Sequence, residues 1–131
     1  MKLYIAGNNQ EEARAVAGIL RAAGHTITSR WLEEDFSRTS EYTEQDRERI
    51  ASIDLEDVTL ADALVICASP RRVPGGKFVE AGIAMGQGKT VYVLGHRENM
   101  LLWHPQVKRF DSVENFISDA GISLTKGTTP C

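Results

Sequence analysis

Apolar runs of strand length alternate along the chain with stretches whose apolar positions recur at helical spacing. Residues 2–6 form a short apolar run closed by Gly7-Asn8-Asn9, the pattern of a buried strand meeting a turn. Between residues 11 and 23, Ala13, Val16, Ala17, Leu20 and Ala23 lie on one helical face, and Gly24 follows where a C-cap glycine belongs. β-Branched Thr26, Ile27 and Thr28 predict a second strand over residues 25–29. Arg30-Trp31-Leu32 then leads into a polar stretch that reads as an active-site loop to about Thr43. Thr43 with Asp46 three residues on is a capping pattern, and Ile50, Ile53, Asp54, Asp57, Val58 and Ala61 fit a helix running to about Leu60. On that helix Asp57 reads as ordinary surface.

Residues 63–68 are a continuous apolar run of buried-strand length, followed by the turn Ser69-Pro70-Arg71-Arg72-Val73-Pro74-Gly75-Gly76. Residues 78–86 are helical in pattern and Gly88 ends them; residues 90–94 and 107–110 supply two more strands. Asp111 or Ser112 can cap a last helix with Val113, Phe116 and Ile117 on one face, closed by Gly121, before a frayed tail over residues 125–131. Strands alternating with helices imply parallel pairing, since each crossover needs about a dozen residues. The expected fold is a three-layer α/β/α sandwich, Rossmann- or flavodoxin-like, with a five-stranded, mostly parallel sheet in a single domain over residues 1–124. Ligands of such sheets bind at the carboxyl ends of the strands. That rule puts Gly7-Asn8, Arg30-Trp31, the turn from Ser69 to Gly76, and the segment from Gly95 to Asn99 on one rim.

Composition narrows the partners. With 15 Lys+Arg against 18 Asp+Glu, the formal net charge of -3 gives no basic footprint for a nucleic-acid polymer. The first apolar run is too short for a signal-peptide core or a spanning helix, so no membrane association and a cytoplasmic location are expected. Cys67 and Cys131 do not make a disulfide framework, and Cys67 reads as a buried free thiol. His25, His96 and His104 lack metal-ligand spacing; His25 and His104 read as structural, and neither a metal nor a cofactor is expected.

Glu80 stands one turn into the helix that opens with Gly75-Gly76, where bare backbone can approach a ligand closely. A carboxylate there is either catalytic or an acid that complements the helix dipole. Trp31 can stack on a flat base or simply pack. Arg30 beside it can bind phosphate, as can Arg71 and Arg72, although adjacent loop arginines are usually solvated. Asn8 and Asn9 either touch substrate or serve the turn.

The segments MKLYIAG, AAGHTITSRWL, DLEDVTLADALVI and GGKFVEAGIAMGQGKTVYVLG resemble, in order and spacing, the nucleoside 2-deoxyribosyltransferase family and its nucleotide N-hydrolase relatives. The resemblance implies cleavage or exchange of an N-glycosidic bond in a nucleoside or nucleotide, with a free nucleobase as the second small-molecule partner. Glu80 matches the family's nucleophile, Tyr4 the tyrosine that orients it, and Asp54 the acid beside the nucleobase. Asn99 matches a residue that reaches a neighbouring subunit's site, which implies a homo-oligomer with shared sites. Two departures concern the substrate. Pro74 stands where better-known transferases carry a sugar-binding aspartate, and Gly7-Asn8-Asn9-Gln10 replaces the serine and arginine with which the hydrolases hold phosphate. The first departure puts the sugar contact in doubt and the second argues for nucleosides over 5′-monophosphates, while transfer against hydrolysis stays open because it turns on whether the closed site excludes water. PGGKFVE is also similar to the turn of the phosphoribohydrolases that activate plant hormones, without their threonine, and a nucleotide-binding module without turnover is the non-enzymatic alternative.

Overall fold

The structure, a computed structural model, describes residues 1–68 and 75–119. Five strands, β1 (Lys2–Ala6), β2 (Thr26–Ile27), β3 (Ala63–Cys67), β4 (Thr90–Leu94) and β5 (Val107–Phe110), form one sheet in the order β2-β1-β3-β4-β5. Every neighbouring pair is parallel. Helices α1 (Gln10–Ala22), α2 (Glu44–Leu60) and α3 (Gly76–Gly86) make the crossovers, and a last helix, α4, runs through residues 113–119.

Side-chain alternation along the strands assigns the two faces. Leu3, Ile5, Val65 and Cys67 pack beneath α1 and α4 with Ala13, Ala17, Leu20 and Phe116. Tyr4, Ala6, Leu64, Ile66, Val91 and Val93 point the other way, against Val58, Ala81 and Ala84 of α2 and α3. The pleat of β1 therefore commits Tyr4 to the α2/α3 side. Cys67 is buried, and burial pushes its thiol up to about 12, so it stays protonated and unreactive.

The connections differ from the sequence-based expectation in three places. The second strand is only Thr26–Ile27, because the chain turns away at Ser29, whose hydroxyl accepts from the Ile5 amide at 2.6 Å. The polar stretch before α2 holds two 3-10 turns, Arg30–Glu33 and Thr39–Glu41. α3 begins at Gly76, with Gly75 as its cap residue. Elsewhere the signals hold: Thr43 and Asp46 form a reciprocal capping box on α2, and Gly24 and Gly88 adopt positive φ after α1 and α3. Ser112 rather than Asp111 supplies the side chain that caps α4, accepting from the Asn115 amide at 3.1 Å. Gly121 and the tail lie outside the described residues. Thr43→Ala breaks half of the capping box and is expected to cost about 1 kcal/mol, read as a lower urea midpoint at unchanged m-value.

β1 lies between β2 and β3, so the crossover through α1 leaves in one direction and the crossover through α2 in the other. The carboxyl ends of β1 and β3 thus flank a topological switch point. Close strand approach there needs a small residue: a Cβ on Gly7 would stand 3.3 Å from that of Cys67. No helix among the described residues is long and apolar enough to cross a membrane.

Candidate active site

The switch point gathers two acids and a phenol from three elements. Tyr4, fully buried in β1, donates its hydroxyl hydrogen to Oε2 of Glu80 on α3. Burial and the adjacent Glu80 push the tyrosine far above its ordinary range, so it remains a neutral donor at any working pH. Glu80 is itself pushed up to about 7: burial raises it, Tyr4's hydrogen bond pulls it back, and the charge of Asp54 raises it further. Asp54, on α2, is pushed up to about 6 by burial and then by the charges of Asp57 and Glu34, against Arg30. The two carboxyls feel each other, and near neutral pH the pair holds about one proton between them.

Both acids line a cavity of about 280 Å³, with Gly7, Asn8 and Gly76 on one side and Trp31, Phe36 and Ile50 on the other. A neighbouring cavity of about 290 Å³ shares Trp31, Ile50 and Asp54 and is completed by Arg30, Glu33, Glu34 and Ile53. The sites have the character of small-molecule pockets, an apolar wall with a few converging polar groups. Two of those polar groups, Asn8 Nδ2 and Asp54 Oδ1, are buried and without a hydrogen-bond partner among the described residues. Unpaired buried polar atoms are costly, and a ligand offering an acceptor to the amide and a partner to the carboxyl relieves both. Gly76 presents bare backbone, since a Cβ there would meet nothing within 4 Å.

Several sequence-based expectations change here. Trp31 walls both cavities, and its indole N–H donates to the Ile5 carbonyl at 2.7 Å, which fixes the ring in place. The Arg30 guanidinium is committed to Asp57, with Nε at 2.9 Å, and to Glu56 at 2.8 Å, instead of being held open for phosphate. Asp57 is not surface: it is 1% exposed and carries that ion pair. Asn99 caps the 3-10 turn Met100–Trp103 by accepting from the Leu102 amide at 3.3 Å, and lines a separate small recess with Phe78 and Gly82 rather than the cavity that Glu80 lines. Ser69, Arg71, Arg72 and Pro74 lie outside the described residues. His25 and His104 are structural, His25 buried with Nδ1 at 3.2 Å from the chain amine, and His104 accepting from the Gln106 amide at 3.0 Å.

Sequence reasoning passed over four residues of the site: Asp57, Lys77, Phe36 and Ile50. Lys77 is buried beside the cavity with its ammonium 2.7 Å from Glu98 and 5.1 Å from the Phe78 ring centroid. The one available signal was Phe36, the single strongly apolar residue of an otherwise polar stretch.

The crevice of an open parallel α/β sheet thus holds a tyrosine-bound glutamate and a second acid with a raised pKa. The model of the nucleoside 2-deoxyribosyltransferase family matches residues 3–122, and the chain belongs to that family. Among solved structures, the 2-deoxyribosyltransferase of Bacillus psychrosaccharolyticus superposes with a TM-score of 0.71 at 23% identity, over 88% of this chain and 90% of that one. The CMP N-glycosidase of Clostridium botulinum gives 0.60 at 13% identity, over 93% and 99%. A conserved protein from Enterococcus faecalis V583 gives 0.69 at 16% identity, over 94% and 98%. At these identities the structural likeness speaks for the fold alone. No curated protein sequence matches the chain significantly. Family membership indicates a glycosyl-transferring or N-glycoside-cleaving enzyme of nucleoside chemistry.

Proposed function

We propose that this chain cleaves or exchanges the N-glycosidic bond of a (deoxy)nucleoside through a covalent glycosyl–Glu80 intermediate. The observation that carries the reading is the shared cavity: a carboxylate fixed by Tyr4 and a second acid whose Oδ1 has no partner among the described residues. Breaking the C1′–N bond builds positive charge on the sugar and negative charge on the base, so one ionised and one protonated carboxyl suit it. In the productive microstate Glu80 is ionised and accepts from Tyr4, while Asp54 keeps the proton. As the C1′–N bond breaks, its electron pair goes to the base, whose ring nitrogen takes the proton of Asp54, and a C1′–O bond forms to Glu80. In the second step a new base or water attacks C1′, its proton passes to Asp54, and the Glu80 carboxylate leaves.

Trp31, Phe36 and Ile50 supply the apolar wall for the base, and Asn8 and the bare backbone at Gly75 and Gly76 face the sugar. The family match supports treating residues 1–124 as one catalytic unit. Asn99, which does not line the Glu80 cavity of its own chain, is assigned to the site of a neighbouring copy; a monomer by light scattering would remove that role.

The test is incubation with a panel of deoxynucleosides, ribonucleosides and their 5′-monophosphates, with and without a second free base. The expected result is a new nucleoside of unchanged anomeric configuration, because two displacements at C1′ restore it. Free sugar identifies water as the acceptor, and an inverted product excludes the covalent route.

A further inference from the structure

α2 carries a second acid one turn beyond Asp54, and it is the point at which that helix grips the turn after β2. The Asp57 carboxylate accepts from the Arg30 backbone N–H at 2.9 Å and from Arg30 Nε at 2.9 Å, and its backbone carbonyl accepts from the Thr28 hydroxyl at 2.9 Å. The next residue is Trp31, pinned by its indole N–H to β1. Trp31 and Asp54 both line both cavities of the site. Burying the Asp57 carboxylate is costly even with the half-exposed Arg30 guanidinium beside it, and a well-packed apolar residue on the inner face of α2 would commonly serve stability as well or better. Stability alone is therefore a weak reason for an acid at this position.

We infer that Asp57 is a positioning residue of the active site: it seats the Trp31 wall and holds its Arg30-paired carboxylate one helical turn from Asp54. The inference rests on the reading of Asp54 as the acid that protonates the base.

The charged and titratable groups around Asp54 and the cavities it lines are Asp57 and Arg47 on its own helix, Arg30, Glu33 and Glu34 from the turn after β2, Tyr42 ahead of α2, Lys77 and Glu80 from α3 and Tyr4 from β1. Within that set Asp57 acts twice in one direction. Its charge favours the protonated form of Asp54 directly, and its pairing with Arg30 neutralises the cation that favours the ionised form. Asp57→Asn keeps an acceptor for the Arg30 amide but removes the charge and uncovers the guanidinium, so both changes strip the proton from Asp54 earlier.

The experiment follows the Asp54 side-chain carboxyl by ¹³C NMR in the full chain, with the pH profile of kcat/KM and the Tm measured alongside. Asp57→Asn is expected to lower the Asp54 midpoint by roughly 0.5–1 pH unit, to move the acid limb of activity down with it and to lower the maximum, because less of the pair's single proton then sits on Asp54. Asp57→Glu, which keeps the charge, leaves the midpoint near the parent value even where it lowers Tm. Asp57→Ser, whose hydroxyl still accepts from the Arg30 amide, is measured as well, so that misfolding of one variant does not decide the matter. A fall in Tm with an unmoved midpoint overturns the inference, because it leaves Asp57 with a structural role only. A moved midpoint in a protein without turnover sinks the proposed reaction instead and leaves the coupling of Asp57 to Asp54 standing.

Discussion

Glu80→Gln is expected to lower kcat for glycosidic cleavage at least about a thousandfold, because the amide cannot form the bond to C1′ that divides one difficult displacement into two easier ones. Loss of fold is excluded as the cause by the opposite effect on stability. The folded protein holds the Glu80 proton up to about 7, against an ordinary value of 4.5. Folding therefore favours the protonated form, and stability falls as pH rises from about 4.5 to about 7, then levels off. Glutamine is neutral throughout and escapes that loss. The variant should match the parent near pH 4 and exceed it at pH 8, by on the order of 2 kcal/mol, as a higher urea midpoint. A dead variant that is also less stable at pH 8 would point to a structural role for the Glu80 carboxylate.

Asp54→Asn is the second large effect, an expected loss of about a hundredfold, since general acid catalysis typically contributes 10²–10⁴. The loss should be smallest for bases that leave readily without a proton, a dependence that simple misplacement of the substrate would not produce. The same residue governs the pH profile. Parent activity needs one proton on the pair, so it should be bell-shaped with apparent midpoints near about 6 and about 7, which belong to the pair jointly. Without Asp54 only the ionisation of Glu80 remains. The alkaline limb should vanish, leaving a rate that rises with pH to a plateau, read from kcat/KM between pH 5 and 9.

The parts legible in the sequence were those written in local chemistry. β1, β3 and β4 were readable because a buried strand is a closed apolar run, and α2 because Thr43 and Asp46 satisfy its first amides. The parallel order followed from strands and helices taking turns, and Glu80 stood out because a glycine pair sets it at the mouth of a helix. What was not legible depends on contacts across distance. Asp57 looks like any acid on a polar helix, since nothing near it in sequence announces that Arg30, 27 residues away, will be folded against it. Lys77 owes its burial to Glu98, 21 residues on. Arg30 shows the converse: its residue type suggests phosphate, yet two acids on α2 occupy its guanidinium before any ligand arrives. The short second strand has the same origin, because Ser29 is drawn onto the amide of Ile5 and the ladder ends there.

The whole mechanism requires the sugar to become bonded to one side chain. Acid quenching during turnover of a deoxynucleoside, followed by digestion and mass spectrometry, looks for that bond directly. The account predicts a peptide heavier by one deoxyribosyl group with the modification on Glu80, absent from Glu80→Gln and discharged when a free base is added before the quench. Steady turnover by the parent with no labelled peptide under any quench, or with the label on another residue, would contradict it.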